Sequence, residues 1–349
     1  MEAFRWPNNP IIAPEDLAPS HDDFEVIGVF NAGVCQLKDE VVLLLRVAER
    51  PVSKHPNLVL AALYDEARQR IVLKDFSKDD PRNDFSDPRL IVTPQGTYLT
   101  SISYLKLARS KDGVHFQIEK MPALQPANNY EAFGIEDPRI SLIDGTYYVT
   151  YVAVSPLGIT TALASTRDFK GFERHGVIFC PDNKDALIFP DKINGRYYAL
   201  HRPASGLFTK QDIWIAESPD LLRWGNHRCL MATREDAWDQ LKIGAGAVPF
   251  RTSEGWVEVY HGADRNNRYC LGAVLLDEQE PWKVLARSEE PVFEPQAEYE
   301  CGGFFGNVVF SCGLLCEDGM VKIYYGAADT SICYAELRLD DVMRSLHRP

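Results

Sequence analysis

Two carboxylates, a proline and an arginine stand together in the sequence Glu136-Asp137-Pro138-Arg139. Pro138 fixes its own φ and favours extended backbone at Asp137, so the pattern predicts a carboxylate presented from the start of a strand rather than from a helix. A carboxyl group held in this way can act as a general acid or base. The alternative is an Asp–Arg pair that joins neighbouring structural units, and Glu136 favours the chemical interpretation.

The sequence Asp87-Pro88-Arg89 carries the same pattern 50 residues earlier (137 minus 87), which is typical of a repeated structural unit. Each unit continues with a turn such as Asp144-Gly145 and then an aromatic or β-branched strand. Such dipeptides predict tight hairpins because Asp, Asn and Gly tolerate positive φ. Near-repeats begin near residues 31, 87, 137, 185, 246 and 306. Six four-stranded antiparallel units predict an all-β fold, a β-propeller.

Residues 1–24 are rich in proline and irregular in pattern. We expect them to form an N-terminal arm laid across the body, and residues 25–349 to form a single β-propeller catalytic domain. A chain of 349 residues exceeds the usual size of one domain, but propellers fill this length as one body.

Charged residues are dense at the starts of the repeated units, which converge on the central axis of a propeller. Carboxylates mixed with Arg, Lys and His can protonate a leaving oxygen, bind sugar hydroxyls and hold an oxyanion. We therefore expect a sugar-active site there. The candidates are Asn31, Arg46, Arg50, Asp87, Arg89, Glu136, Asp137, Arg139, His201, Arg202, Lys242, His261, Asp264 and Asp329. For any one arginine, an ion pair between units is the simpler interpretation, and a lone histidine is more often a core residue.

The segment Lys242-Ile243-Gly244-Ala245-Gly246 is similar to a phosphate-cradling loop. It lacks both the spacing of a nucleotide-binding P-loop and a following helix pattern. We therefore expect no nucleotide site at this segment, and the pattern remains compatible with binding of one anionic group.

The formal net charge of −13 excludes a nucleic-acid partner, because binding to phosphate backbones needs clustered Lys and Arg. No membrane partner is expected, since the sequence has neither a signal-peptide pattern nor a run of about 18 apolar residues. The eight cysteines are scattered without metal-ligand spacing. We expect a cytoplasmic protein with free thiols and no metal.

Five ordered motifs are similar to those of glycoside hydrolase family 130, the mannoside phosphorylases and mannosidases. They lie at residues 134–140, 189–203, 242–246, 260–264 and 324–329. The resemblance covers the chain from about residue 25 to about residue 335. It implies a propeller of five blades, one fewer than the count of near-repeats.

The resemblance also implies the reaction and the principal catalytic residue. Asp137 matches the family's proton donor, which acts through the 3-hydroxyl of mannose. The reaction implied is the inverting, reversible phosphorolysis of a β-mannoside to α-mannose 1-phosphate. Inorganic phosphate is then a co-substrate, and no cofactor is needed. The subgroup that the sequence resembles most acts on β-1,2-mannobiose or β-1,2-oligomannan.

Further site residues follow from matching positions in the family. Arg174, Lys242, His261 and Asn31 are expected to bind phosphate, although Ala32 follows Asn31 where some members carry a serine ligand. Arg46, His201 and Asp329 match positions that hold the mannose or flank the phosphate. Asp87, Glu136 and Arg139 are kept as substrate-binding candidates because they stand at the starts of units.

Two alternatives remain open from the sequence: a β-mannosidase that uses water, and a non-catalytic propeller that binds glycans. The family's hydrolases replace the basic set with a glutamate base, whereas a phosphorylase needs a cationic cradle for phosphate. Since the basic set is present, we favour the phosphorylase. A homo-oligomer is compatible with the fold, but no surface patch in the sequence identifies one.

Overall fold

The fold is all-β in the computed structural model, which describes residues 2–204 and 210–347. In chain order the strands are β1 (Phe4–Arg5), β2 (Phe24–Leu37), β3 (Glu40–Pro51), β4 (Leu58–Asp65), β5 (Arg70–Ser77), β6 (Leu90–Thr93), β7 (Gly96–Leu99), β8 (Ile102–Ser110), β9 (Gln117–Leu124), β10 (Gly134–Ile143), β11 (Thr146–Ser155), β12 (Gly158–Thr166), β13 (Glu173–Phe179), β14 (Asn183–Ile188), β15 (Tyr197–Pro203), β16 (Ile213–Ser218), β17 (Gly225–Met231), β18 (Lys242–Gly244), β19 (Phe250–Thr252), β20 (Gly255–Ala263), β21 (Tyr269–Leu276), β22 (Val284–Ser288), β23 (Val309–Glu317), β24 (Met320–Ala327), β25 (Ser331–Arg338) and β26 (Leu346–His347).

Helices are short within these residues. The 3-10 turns are Pro14–Asp16 and Asn129–Glu131, and the α-helices are α1 (Glu298–Cys301) and α2 (Leu339–Arg344). In the described part of the chain, no helix has the length and apolar character needed to cross a membrane.

The predicted tight hairpins are confirmed where Asp-Gly and Asn-Gly dipeptides join successive strands. Asp144 and Gly145 have φ of 48° and 75° between β10 and β11, and Asp318 and Gly319 have φ of 51° and 72° between β23 and β24. Positive φ at both central residues matches the right-handed twist of the flanking strands. The turns therefore fix the register of each hairpin locally.

The strands form five consecutive antiparallel groups. We name them sheet 1 (β2, β3, β8, β9), sheet 2 (β10 to β13), sheet 3 (β14 to β17), sheet 4 (β18 to β22 with β26) and sheet 5 (β23 to β25 with β1). Sheets 1 and 2 are connected by one parallel pairing, Gly134 with Ser103.

The near-repeat that begins at Asp87 does not form a sheet of this kind. Its hairpin, β6 with β7, is a separate two-stranded sheet, like β4 with β5 before it. On the side of β3 away from β2, the neighbouring strand is β8, which pairs with β3 over nine positions from Ile102 to Ser110. The four-residue β6 cannot compete with this long and almost fully buried strand. At Asp87 the Asp-Pro-Arg pattern forms a local Asp–Arg pair before β6, and both hairpins are insertions in sheet 1.

Buried hydrophobic clusters lie between consecutive sheets, and one joins sheet 5 to sheet 1. Representative pairs are Leu44 with Val149 for sheets 1 and 2, Leu163 with Ile188 for sheets 2 and 3, Leu187 with Tyr260 for sheets 3 and 4, Val259 with Val321 for sheets 4 and 5, and Tyr324 with Val29 for sheets 5 and 1. Apolar burial of this kind is the main force that holds neighbouring sheets together.

The segment before β2 lies against sheet 5. β1 pairs with β25, and the amide of Ile11 donates to the carbonyl of Ile332 at 2.9 Å. Ile12 and Leu17 are buried in the cluster between sheets 5 and 1. This segment therefore contacts both the first and the last sheet of the chain.

We expect Gly134→Ala to destabilise the protein more than Gly145→Ala. A Cβ on Gly134 would lie 2.5 Å from the Ser103 nitrogen and 2.8 Å from its carbonyl oxygen, whereas a Cβ on Gly145 would meet nothing within 4 Å. Both variants carry the strain of positive φ, about 1–2 kcal/mol, but only Gly134→Ala also displaces backbone. Denaturant unfolding of both variants measures the difference, and equal losses would contradict this account.

Candidate active site

Three strands are interrupted at equivalent places by a bulge that carries an Asn or Asp. The pairing shifts between Phe30 and Gly33 in β2, between Glu136 and Arg139 in β10, and between Lys184 and Leu187 in β14. The residues at the bulges, Asn31, Asp137 and Asp185, have φ of 51°, 47° and 52°. Asn and Asp tolerate this left-handed conformation better than most residues.

The bulges redirect the three side chains toward one cavity. The predicted extended backbone at Asp137 is therefore wrong, since the bulge overrides the local preference of a residue before proline. A sequence pattern cannot show this, because the bulge depends on pairing with β11.

The cavity has a volume of about 360 Å³, within the range of roughly 300–1,000 Å³ for small-molecule sites. Sequence candidates that line it are Asn31, Arg46, Arg89, Glu136, Asp137, Arg202, Lys242, His261 and Asp329. Lys184, Asp185, Tyr269, Phe304 and Phe305 also line it. Acidic and basic groups from all five sheets and from one insertion thus meet in one space.

Arg46 organises the acidic side of the cavity. Its Nη1 donates to Asp137 Oδ1 at 2.9 Å and its Nη2 donates to Glu136 Oε1 at 2.7 Å. Asn31 Nδ2 also donates to Asp137 Oδ1, at 3.0 Å. Among the described residues, the hydrogen bonds to the Asp137 side chain thus reach Oδ1, and Oδ2 is left to meet a substrate.

The two aspartates on this side have opposite pKa shifts. Burial raises the pKa of Asp137, but the cations Arg46, Lys184 and Arg139 outweigh it and bring the pKa below its ordinary value. Burial raises the pKa of Asp329 to about 6, and the negative charges of Asp137 and Glu136 contribute to the rise. Carboxyl groups with separated pKa values can divide the acid and base roles between them.

The basic side consists of Arg89, Lys184, Arg202 and Lys242, and Tyr269 lines the same cavity. Lys242 Nζ lies 4.9 Å from the centre of the Tyr269 ring. Burial lowers the pKa of Lys242 to about 8, and repulsion by Arg202 and Lys184 contributes to the shift. Several converging cations form a site for an anion of multiple charge.

Asp185 binds Arg202 of the basic side and also contacts His261. It is fully buried, with Oδ2 at 2.7 Å from Arg202 Nη1 and 3.3 Å from His261 Nε2. Burial opposes its ionisation, yet Arg202 and His261 keep its pKa well below the usual range. A Cβ on Gly244 would lie 2.4 Å from Asp185 Oδ2 and 2.5 Å from His261 Cε1. The glycine in the predicted phosphate loop therefore leaves room for these two side chains.

Two sequence candidates lie beside the cavity without lining it. Arg139 is buried and donates to the carbonyls of Gly246 at 2.8 Å, Ala245 at 2.9 Å and Asp137 at 3.1 Å. It therefore joins sheets 2 and 4, as the alternative interpretation of an Asp-Pro-Arg motif proposed. Asp87 binds the Arg89 guanidinium at 2.7 Å and orients a residue that lines the cavity.

Arg174 and His201 lie away from the cavity, each for a visible reason. Arg174 donates to both carboxylate oxygens of the buried Glu131, at 2.7 and 2.9 Å. His201 stacks on Phe179 with ring centres 4.5 Å apart and contacts His227 at 3.0 Å. Burial lowers the pKa of His201 to about 3, so it is a neutral core histidine.

The sequence analysis did not single out Lys184 and Asp185 as site residues. A signal existed, because Lys184-Asp185 stands at the start of its near-repeat as Glu136-Asp137 stands at the start of another. Aligning the units would have placed both pairs at equivalent bulges. In the described ranges, no group of three or more His, Cys, Asp or Glu residues is arranged to hold a metal ion.

Comparisons with known proteins identify the family of the chain. The profile of glycoside hydrolase family 130, described as beta-1,4-mannooligosaccharide phosphorylase, matches residues 88–348. The curated beta-1,2-mannobiose phosphorylase of Listeria innocua serovar 6a is 49% identical over 350 residues, covering 99% of both chains. The 1,2-beta-oligomannan phosphorylase of Thermoanaerobacter sp. strain X514 is 41% identical over 72% of this chain and 84% of its own length.

A solved structure matches over the same extent. The β-1,2-mannobiose phosphorylase of Listeria innocua, in complex with β-1,2-mannobiose, has a TM-score of 0.97, with 48% identity and 99% coverage of both chains. Fold and site thus define an all-β carbohydrate-active enzyme of the phosphorylase class. The chain belongs to glycoside hydrolase family 130, and the resemblance found in its motifs is confirmed.

We expect Asp329→Asn to stabilise the fold above about pH 6 and to have no such effect below about pH 4. The pKa of Asp329 is raised from 3.8 to about 6, so ionising it opposes folding as the pH rises through this window. The amide removes a cost of about 1–3 kcal/mol at neutral pH. Thermal melting at both pH values measures this, with Asp318→Asn in a surface turn as the control. An equal change at both pH values would contradict the raised pKa.

Proposed function

We propose that this protein catalyses the inverting phosphorolysis of β-mannosides, with β-1,2-mannobiose as the favoured substrate and α-mannose 1-phosphate as the product. The observation that carries the proposal is one cavity with a fixed carboxyl group on one side and four cations on the other. The chain is 49% identical to a β-1,2-mannobiose phosphorylase over 99% of both sequences, which supports β-1,2 as the linkage that is cleaved. The reaction is reversible, needs no cofactor and uses inorganic phosphate as co-substrate.

The acidic side binds the mannose and supplies the proton. Asp137 gives its proton to the 3-hydroxyl of the mannose while that hydroxyl protonates the leaving oxygen, and the bond from C1 to that oxygen breaks. Asn31 and Arg46 hold Asp137 at 3.0 and 2.9 Å, so the acid needs little reorganisation during the reaction. Glu136 and Asp329 accept hydrogen bonds from other hydroxyls of the sugar.

The basic side binds phosphate, one of whose oxygens attacks C1 from the opposite face. Arg89, Lys184, Arg202 and Lys242 carry the positive charge, and His261 orients Arg202 at 3.3 Å. In this proposal Arg89, Lys184 and Arg202 take the role that the family resemblance implied for Arg174. A bound dianion also offsets the charge of Lys184, which raises the pKa of Asp137 and favours its protonated, acidic form.

A hydrolase would need a base for water on the basic side. The carboxylate of Asp185 lies there, but its ion pair with Arg202 and its contact with His261 hold its pKa well below the usual range. A carboxylate of such low pKa is a poor base at neutral pH. This arrangement favours phosphate over water as the nucleophile.

We also propose that residues 25–349 form one five-bladed β-propeller whose blades are sheets 1 to 5, with residues 1–24 as an N-terminal arm. The hydrophobic clusters between consecutive sheets, including the one between sheets 5 and 1, support a closed ring. The eight unpaired cysteines support a location in the cytoplasm, where thiols stay reduced.

The proposed reaction predicts release of mannose 1-phosphate from β-1,2-mannobiose only when inorganic phosphate is added. Asp137→Asn should lower kcat by about 10²–10⁴-fold, the usual contribution of general acid catalysis, without loss of thermal stability. A coupled assay for mannose 1-phosphate measures both. Free mannose released without phosphate would indicate a hydrolase, and binding of mannobiose without any product would indicate a glycan-binding protein.

The pKa of Lys242 predicts how phosphate use depends on pH. With a pKa of about 8, the lysine loses its charge as the pH rises through 8, and kcat/KM for phosphate should fall about tenfold by about pH 9. Lys242→Arg keeps its charge over this range, so its profile should lack that fall. Steady-state rates at varied phosphate give both profiles, and parallel profiles would remove Lys242 from the phosphate site.

A further inference from the structure

The N-terminal arm contacts the segment that precedes one wall of the cavity through Arg5. The Arg5 guanidinium donates to Glu300 Oε1 at 2.8 Å and Oε2 at 3.1 Å, and to the Glu294 carbonyl at 2.7 Å. It lies 4.5 Å from the centre of the Phe293 ring. The family profile begins at residue 88, so family membership by that profile assigns no role to this arginine.

Glu300 is buried and holds the short helix α1 in place. Its carboxylate also accepts hydrogen bonds from the Tyr325 hydroxyl at 2.7 Å and from the amides of Gln296 at 2.7 Å and Ala297 at 2.9 Å. A helix of four residues is not stable by itself. Without Arg5, Glu300 would be a buried carboxylate without its cation, which is strongly unfavourable. The ion pair therefore fixes the end of α1.

The segment that leaves α1 forms a wall of the cavity. We call residues 302–307 the wall loop; Phe304 and Phe305 of this loop line the cavity. The Phe305 amide donates to the Ala328 carbonyl at 3.0 Å, and the Phe304 amide donates to Thr330 Oγ1 at 3.0 Å. These two contacts flank Asp329, so the wall loop packs directly against the turn that carries a site residue.

The wall loop also supports Arg89. The Arg89 guanidinium lies 5.1 Å from the centre of the Phe305 ring, and its side chain is 49% exposed. Its ion partner Asp87 is two residues away on the same inserted segment. The Arg89 side chain is long and half-exposed, so its contact with Phe305 restricts its position on the phosphate side of the cavity.

We propose that Arg5 is a positioning residue for the active site, whose ion pair with Glu300 fixes the wall loop and thereby holds Arg89 at the phosphate side of the cavity. The inference rests on the proposed function, since it concerns the binding of phosphate. Arg46, Asn31 and Asp137 belong to sheets 1 and 2, so the acid does not depend on the wall loop.

Steady-state kinetics of Arg5→Gln and Glu300→Gln test this positioning role. Both variants should raise KM for phosphate about three- to tenfold, as expected when one charge-assisted contact is weakened, and should change kcat less than about twofold. Glu300→Gln keeps the size of the side chain and removes the fully buried carboxylate, so only the partly exposed Arg5 guanidinium loses its ion partner. This variant serves where Arg5→Gln folds poorly. Arg109→Gln, which breaks a partly buried ion pair with Glu119, is the matched control.

A third variant separates positioning from stability. Phe305→Leu should raise KM for phosphate similarly, and adding Arg5→Gln to it should give no further rise, because both changes act through one contact. If Arg5→Gln and Glu300→Gln lower the melting temperature but leave KM for phosphate unchanged, the ion pair only stabilises the fold, and the inference is overturned. Absence of phosphate-dependent turnover in the wild type, measured in the same assay, would instead overturn the proposed function.

Discussion

The ion pairs of Arg46 with Asp137 and Glu136 are the interactions on which the rest of the site depends. Two neighbouring carboxylates repel each other, and burial of either would raise its pKa. One guanidinium fork, at 2.9 and 2.7 Å, offsets both charges. Phe30 packs 4.6 Å below the guanidinium carbon and restricts its orientation. The Asp137 carboxyl group, the acid of the proposed reaction, is consequently fixed before a substrate arrives, which is the condition for efficient electrostatic catalysis.

Backbone geometry places these charges as much as residue type does. Asn31, Asp137 and Asp185 occupy bulges on three different sheets, so one geometric device is used three times with different partners. At Asp137 the partner is Arg46, and in the proposed reaction the side chain acts on the sugar. At Asp185 the partners are Arg202 and His261, and in the same proposal the side chain orients the phosphate site. The bulges at Asp137 and Asp185 are thus equivalent in backbone geometry but lie on opposite sides of the cavity, one acidic and one basic.

The separation of charge across the cavity connects the two halves of the reaction. Lys184 lies on the basic side yet lowers the pKa of Asp137. In the proposed reaction, an anion that neutralises this lysine makes Asp137 a better acid, so phosphate binding and protonation of Asp137 would be coupled through one side chain. The short distance between acid and cations is what allows such coupling, because electrostatic interactions are weakly screened in a partly buried site.

The amino-acid sequence by itself determined the class of fold, the hairpin turns, the family and most of the acidic side. These depend on alternating apolar residues, on Asp-Gly and Asn-Gly turns and on motifs of adjacent residues, all of which are local. Arg46, Glu136, Asp137, Lys242, His261 and Asp329 were found in this way and line the cavity. Only the tertiary structure decided which other charged residues reach it. Arg174 is bound by Glu131 and His201 by Phe179 and His227, whereas Lys184 enters the cavity through a bulge. These outcomes depend on partners 20 or more residues away and on strand register, neither of which a local pattern contains.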